Sequence, residues 1–183
     1  TMGEDPLFFR EPGAGFEPLL RLVEKVKQAT GLPVMVSPGV VPGDALEKLA
    51  EAGADWFACY QETHNRELFK RLRSNQDYDT RLTVKTDARR FGMFTEEGIL
   101  VGVGETPEDI AQSFDVIRNL DVQQVRAMNF VPQPGTPMAN SNPVDRLREL
   151  ILVALLRVVF PLKLIAATLD VEGLDGLKRR LDA

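Results

Sequence analysis

Ionisable and small polar residues in this chain recur at the downstream ends of short apolar runs, where a parallel α/β protein gathers its chemistry. Glu4 and Asp5 stand near the start, Ser37 closes "LPVMVS", Tyr60 and Glu62 close "ADWFACYQE", and Glu105 closes "GILVGVGE". Gln133 follows "VQQVRAMNFVP" and Asp170 ends "LKLIAATLD". Arg126 differs from these because it interrupts an apolar run, where an unpaired charge would be costly. It must meet an internal partner, which Asp170 could supply, or a charged ligand. Carboxylates and a guanidinium at strand ends suit a small charged molecule.

Other residues have plainer readings. Gly102 and Gly104 either permit a tight turn before a helix or bare backbone N–H groups to an anion. The stretch lacks both the third glycine of a dinucleotide fingerprint and the lysine of a P-loop. His64, the single histidine, reads as a surface or supporting residue rather than an acid–base catalyst. Cys59 and Trp56 read as core. Met128 and Phe130 alternate along a strand, where they could flank a flat ligand or simply pack.

The elements that must position these residues follow from periodicity. "FEPLLRLVEKVKQATG" places Phe16, Leu19, Leu20, Val23 and Val26 on one helical face, ended by Gly31. The strand "LPVMVSPG" follows, then the helix "PGDALEKLAEAG", the strand "ADWFACYQ" and helices around "NRELFKRLR" and "TRLTVKTDARRF". "GILVGVGE" is a third strand. The next helix, "TPEDIAQSFDVIRNL", has Thr106 as N-cap and Pro107 at its first position. "VQQVRAMNFVP" is a strand, "VDRLRELILVALLRVVF" a helix, "LKLIAATLD" a strand and "GLDGLKRRLDA" a helix. Strict alternation of apolar strands with amphipathic helices predicts an α/β fold with parallel strands. Polar residues at nearly every strand end favour a (β/α) TIM-type barrel over an open sheet, whose ligand residues would gather at one switch point.

The chain has 183 residues, 44% hydrophobic and 27% charged, enough for one sizeable core. A net charge of -5 without a basic run argues against nucleic acid. No run of roughly 18 apolar residues suggests a membrane span, and the cytoplasm is the expected location. One cysteine cannot by itself hold a metal cluster. The first residues read as the exit from a strand, and the last stop inside a helix, as in a segment cut from a longer chain.

Three strand ends taken together carry a resemblance. "GILVGVGE" resembles the G-x-I-x-G-x-x-E pattern of radical S-adenosylmethionine (SAM) enzymes, with Gly98, Leu100, Gly102 and Glu105 on the matching positions and Leu for Ile. "MGEDP" resembles that superfamily's G-G-E motif through Gly3 and Glu4, with Met2 for the first glycine. "YQETHNRELFKRLR" and the following "YDTR" resemble the branch containing biotin synthases, hydrogenase maturases and methylornithine synthases. In that branch the glutamate of Y-x-E-T and an arginine nineteen residues later hold the amino-acid end of SAM; here they are Glu62 and Arg81. One anion and one cation suit a zwitterion. "LPVMVSPG", "ACYQETH", "VRAMNFVPQPGTPM" and "LIAATLDVEGLDGL" narrow the resemblance to the methylornithine synthase family along essentially the whole chain.

The resemblance implies a radical SAM barrel of which residues 1–183 form one incomplete domain, from the end of the second strand to the seventh strand and its helix. It implies SAM contacts at Gly3, Glu4, Ser37, Tyr60, Glu62, Arg81, Gly102, Glu105 and Met128. It places the substrate, L-lysine, on Arg126, Thr168 and Asp170, with Thr168 standing for the family's serine. The implied reaction rearranges L-lysine to (3R)-3-methyl-D-ornithine for pyrrolysine biosynthesis through a 5′-deoxyadenosyl radical. A 4Fe–4S cluster and a reducing electron donor are also implied, although the cysteines of the family's C-x-x-x-C-x-x-C loop are not in this sequence. The alternatives are another biotin-synthase-like or hydrogenase-maturase-like enzyme, or a ligand-binding barrel without a cluster.

Overall fold

The computed structural model describes residues 16–142, 145–167 and 173–183. It divides the chain into two units: Thr1–Gln61 with Asn75–Glu96, and Glu62–Ser74 with Glu97–Ala183.

In the first unit, α1 (Glu17–Thr30) carries Pro18 in its opening turn, where the missing N–H is harmless. It ends on Gly31 at φ 64, which returns its N–H to the Lys27 carbonyl. Strand β1 (Met35–Val36) leads to α2 (Gly43–Glu51), and the chain then passes Gly53. A Cβ at Gly53 would lie 2.9 Å from Lys27 Cγ, so the closeness of α1 requires glycine there. Strand β2 (Trp56–Ala58) pairs in parallel with β1 and with the start of β3 (Phe94–Val101), in the register Trp56 to Phe94 and Ala58 to Glu96. Helix α4 (Tyr78–Arg90) begins at Asp77, whose carboxylate accepts from Thr80 N–H. Leu19, Leu20 and Val23 of α1, Leu46 and Leu49 of α2, Phe57 of β2 and Val84 and Ala88 of α4 form this unit's core.

In the second unit, α3 (Arg66–Leu72) is capped by Asn65, which accepts from the N–H groups of Glu67 and Leu68. The remainder of β3 leads through a bend to α5 (Pro107–Leu120). There Thr106 and Asp109 close a capping box, each side chain satisfying the other's backbone N–H. Strand β4 (Gln124–Asn129) is followed by α6 (Arg146–Val159), β5 (Leu164–Ile165) and α7 (Gly173–Asp182), and β4 and β5 are parallel. Ile99, Val101, Ile117, Val125, Ala127, Leu152 and Leu156 dominate the core. Phe114 and Phe160 meet edge to face at 5.9 Å.

The order of strands and helices is the predicted one, with β1, β2 and β4 shorter than the runs that predicted them and β3 shifted. Two boundaries differ instructively. The expected strand "GILVGVGE" ends at Val101 and begins four residues earlier, at Phe94. Thr95, Glu96 and Glu97 therefore lie fully buried inside a strand. Trp56, expected in the core, is half-buried and packs against Phe94, with ring centroids 5.0 Å apart. Among the described residues no helix is long and apolar enough to cross a membrane.

Candidate functional site

Of the expected site residues that are described, Ser37, Tyr60, Glu62, Gly102 and Glu105 follow strands, whereas Arg81 lies on α4 and Arg126 and Met128 lie within β4. In the first unit Ser37, half-buried, comes directly after β1. Tyr60 stands two residues beyond β2, and its hydroxyl donates to Glu96 Oε2 at 2.5 Å. Glu96 has no exposed surface. Arg81, on α4, is brought to the same strand end: it is buried, and its Nε donates to the Tyr60 carbonyl at 2.8 Å. The main chain of Tyr60 thereby fixes the guanidinium plane. One turn further along α4, the buried Lys85 ammonium reaches Gln61 Oε1 at 3.1 Å and the Arg81 carbonyl at 3.0 Å.

In the second unit Glu62 lies beside β3. Its N–H donates to the Gly98 carbonyl at 3.1 Å, and its carbonyl accepts from Leu100 N–H at 2.8 Å. Its φ of 68 is in the left-handed region, an uncommon conformation for a glutamate that marks functional sites when the surroundings enforce it. Its carboxylate takes the fork of Arg73, with Nη2 to Oε1 at 2.6 Å and Nε to Oε2 at 3.2 Å. Arg73 has no counterpart among the residues singled out from the sequence. It follows the end of α3, and a separation of eleven positions gives no periodic signal for the pair.

The bend after β3 answers the question raised by its glycines. Gly102 and Gly104 have φ of 94 and 99, so a turn that L side chains resist is what they permit. Glu105 closes the turn on itself, accepting from Gly102 N–H at 2.9 and 3.0 Å and from Val103 N–H at 2.9 Å. Arg148 of α6 adds an ion pair at 3.3 Å. The N–H groups of Gly102 and Val103 thus serve Glu105, which argues against the anion cradle. On β4, Arg126 and Met128 alternate with the core residues Val125 and Ala127 and so occupy the opposite face of the strand, both half-buried. Gln133 is exposed and builds a turn, its carbonyl accepting from Thr136. Gly3, Glu4, Asp5, Thr168 and Asp170 lie outside the described residues.

His64 is not on the surface. It is buried, with Nε2 4.0 Å from Glu97 Oε2, and neither side chain is exposed. Cys59 is buried as expected. No cluster of three or more potential metal ligands occurs among the described residues. The single cysteine does not fit a 4Fe–4S cluster. Taken unit by unit, the donors are of the types SAM asks for: the first holds the oriented guanidinium of Arg81, which suits a carboxylate, and the second the carboxylate of Glu62, which suits an ammonium. Asn129 Oδ1, at the end of β4, is a buried acceptor with no hydrogen bond among the described residues, and it would accept from an N–H donor.

The fold and these residues define the class. The sequence profile of the radical SAM superfamily matches residues 3–117, and the chain belongs to that superfamily. Membership implies the superfamily's cofactors, SAM and a 4Fe–4S cluster, the cluster's cysteine ligands not being in this sequence. More particularly, the chain is 43% identical over 183 residues to 3-methylornithine synthase of Methanosarcina acetivorans, covering 100% of this chain and 51% of the relative. It is 42% identical to the enzyme of the same name from Methanosarcina barkeri over the same share of each. A crystal structure of methylornithine synthase superposes with a TM-score of 0.91 at 40% identity, covering 98% of this chain and 52% of that one. The fold is accordingly the α/β fold of the radical SAM barrel. The chain spans about half the length of the curated relatives it matches.

Proposed function

We propose that this chain is part of a radical SAM mutase that rearranges L-lysine to (3R)-3-methyl-D-ornithine, the first step towards pyrrolysine. The observation that carries the reading is identity of 43% along the whole chain to an enzyme named for that product. In this reading residues 1–183 are one part of a single barrel domain in a cytoplasmic enzyme.

SAM, when bound and given one electron through the 4Fe–4S cluster, would supply a radical able to remove a hydrogen atom from the substrate. The chain's own residues bind and orient. Glu62 accepts hydrogen bonds from the methionyl ammonium, and Arg81 forks the methionyl carboxylate, its Nε already committed to Tyr60. Gly3 and Glu4 offer backbone to the same ammonium. Ser37 and Tyr60 line the nucleotide, and Met128 packs on the adenine. Gly102 leaves room for the flat base beside β3, and Glu105 holds that turn in shape. Arg126 takes the carboxylate of lysine, Asp170 its ammonium and Thr168 a further hydrogen bond. Binding both ends of the amino acid keeps its reactive pieces in register and water out.

The test is anaerobic reconstitution of the full-length polypeptide with iron, sulfide, SAM, dithionite and L-lysine. Methylornithine is the expected product. Deoxyadenosine accumulating without methylornithine would retire the lysine assignment while leaving the superfamily in place.

A further inference from the structure

Glu62 sits on backbone that is pinned and unusual at once. Its φ of 68 is held by hydrogen bonds on both sides, to Gly98 and from Leu100. Such backbone aims the first side-chain bond but leaves the carboxylate free to turn about the remaining ones. What stops that rotation is Arg73. It caps α3 with non-helical backbone (φ -132, ψ 58), and its N–H returns to the Phe69 carbonyl at 2.8 Å, Phe69 being buried. From this fixed base the guanidinium presents two donors to the two carboxylate oxygens, at 2.6 and 3.2 Å. Both side chains are 22% exposed. The pair is therefore shielded enough for geometry to matter and open enough for a third group to approach.

A carboxylate has about four acceptor directions, and a fork of this kind uses one on each oxygen. The others remain directed to a second donor. We propose that Arg73 is the positioning residue of the SAM site: it locks the Glu62 carboxylate with its outer lone pairs presented to the methionyl ammonium, and so sets the preference for a ligand bearing an α-amino group. This role rests on the assignment of Glu62 to that ammonium made above. Arg73 opposes the ammonium by charge, so its contribution comes through orientation of Glu62. A lysine in its place, a point charge without a fork, would restore it only in part.

The experiment compares two ligands on the full-length, cluster-reconstituted protein by calorimetric titration: SAM, and the analogue in which hydrogen replaces the α-amino group. Wild type should prefer SAM by about tenfold or more, the scale of a charge-assisted hydrogen bond. In R73M that preference should shrink by about tenfold while affinity for the deamino analogue changes by less than about twofold, with R73K intermediate. Equal loss of both ligands in R73M, or an unchanged preference, would show a merely structural ion pair and overturn the proposal. A wild-type preference near unity would remove the Glu62 assignment and the role of Arg73 with it. If R73M does not fold, R73K carries the same comparison, since it keeps the cation and loses the fork.

Discussion

At the scale of single residues, Glu105 commits its side chain to the backbone of its own turn. Both oxygens are spent on the N–H groups of Gly102 and Val103, with Arg148 outside them. Replacing Glu105 by Ala leaves two donors of a left-handed turn unsatisfied, at a cost of about 1–3 kcal/mol. Gln keeps one acceptor but turns an NH2 group towards a donor, so E105Q should fall between E105A and wild type. Urea denaturation would measure the ordering, and SAM titration should show affinity falling in the same order. An E105A protein of undiminished stability would mean that the glycines alone set the turn.

At the scale of elements, most helices here are begun by local chemistry and one contact is fixed by charge. Glu149 of α6 and Arg180 of α7 form a buried two-pronged pair at 2.7 and 3.0 Å, both side chains 5% exposed. Breaking such a pair from one side strands a charge, whereas replacing both partners by apolar groups is often neutral. R180M should therefore destabilise the packing of α7 by about 3–5 kcal/mol, while E149L/R180M should recover most of the loss. Hydrogen exchange across 173–182 measures this directly: fast in the single variant, slow again in the double. Equal exchange in both would place the stability of α7 in its apolar contacts instead.

At the scale of the whole molecule, acid sensitivity is built into both units. Lys27 donating to Asp55, with Val34 N–H behind it, holds that carboxyl below the ordinary aspartate range. The Thr106 N–H, then the Asn65 amide, does the same for Asp109. A carboxyl whose folded pKa is depressed stabilises the native state fully above its unfolded value, and the contribution is lost as pH falls through the folded value. Urea midpoints should thus stay level from neutrality to about pH 5 and drop below about pH 4. In D55N/D109N the neutral midpoint should be lower and the acid slope shallower. An unchanged slope would move the acid response to other groups.

Strand order, helix order, the caps at Thr106 and Gly31, and the placement of polar groups after strands were all determined by sequence alone. These are neighbour effects of a few residues, in which spacing and residue type carry the information. Motif spacing in the sequence also singled out Glu62, Arg81 and Glu105 as candidates. Only the tertiary structure decided that Glu62 is held by Arg73, that Tyr60 rests on a buried Glu96, that His64 faces Glu97 inside the protein and that β3 begins among its glutamates. Burial of Glu96 is made tolerable by a hydrogen bond from Tyr60, 36 residues away. Charge pairs of this kind join residues whose separation along the chain follows no period, so their partners exist only once the backbone has brought them within reach.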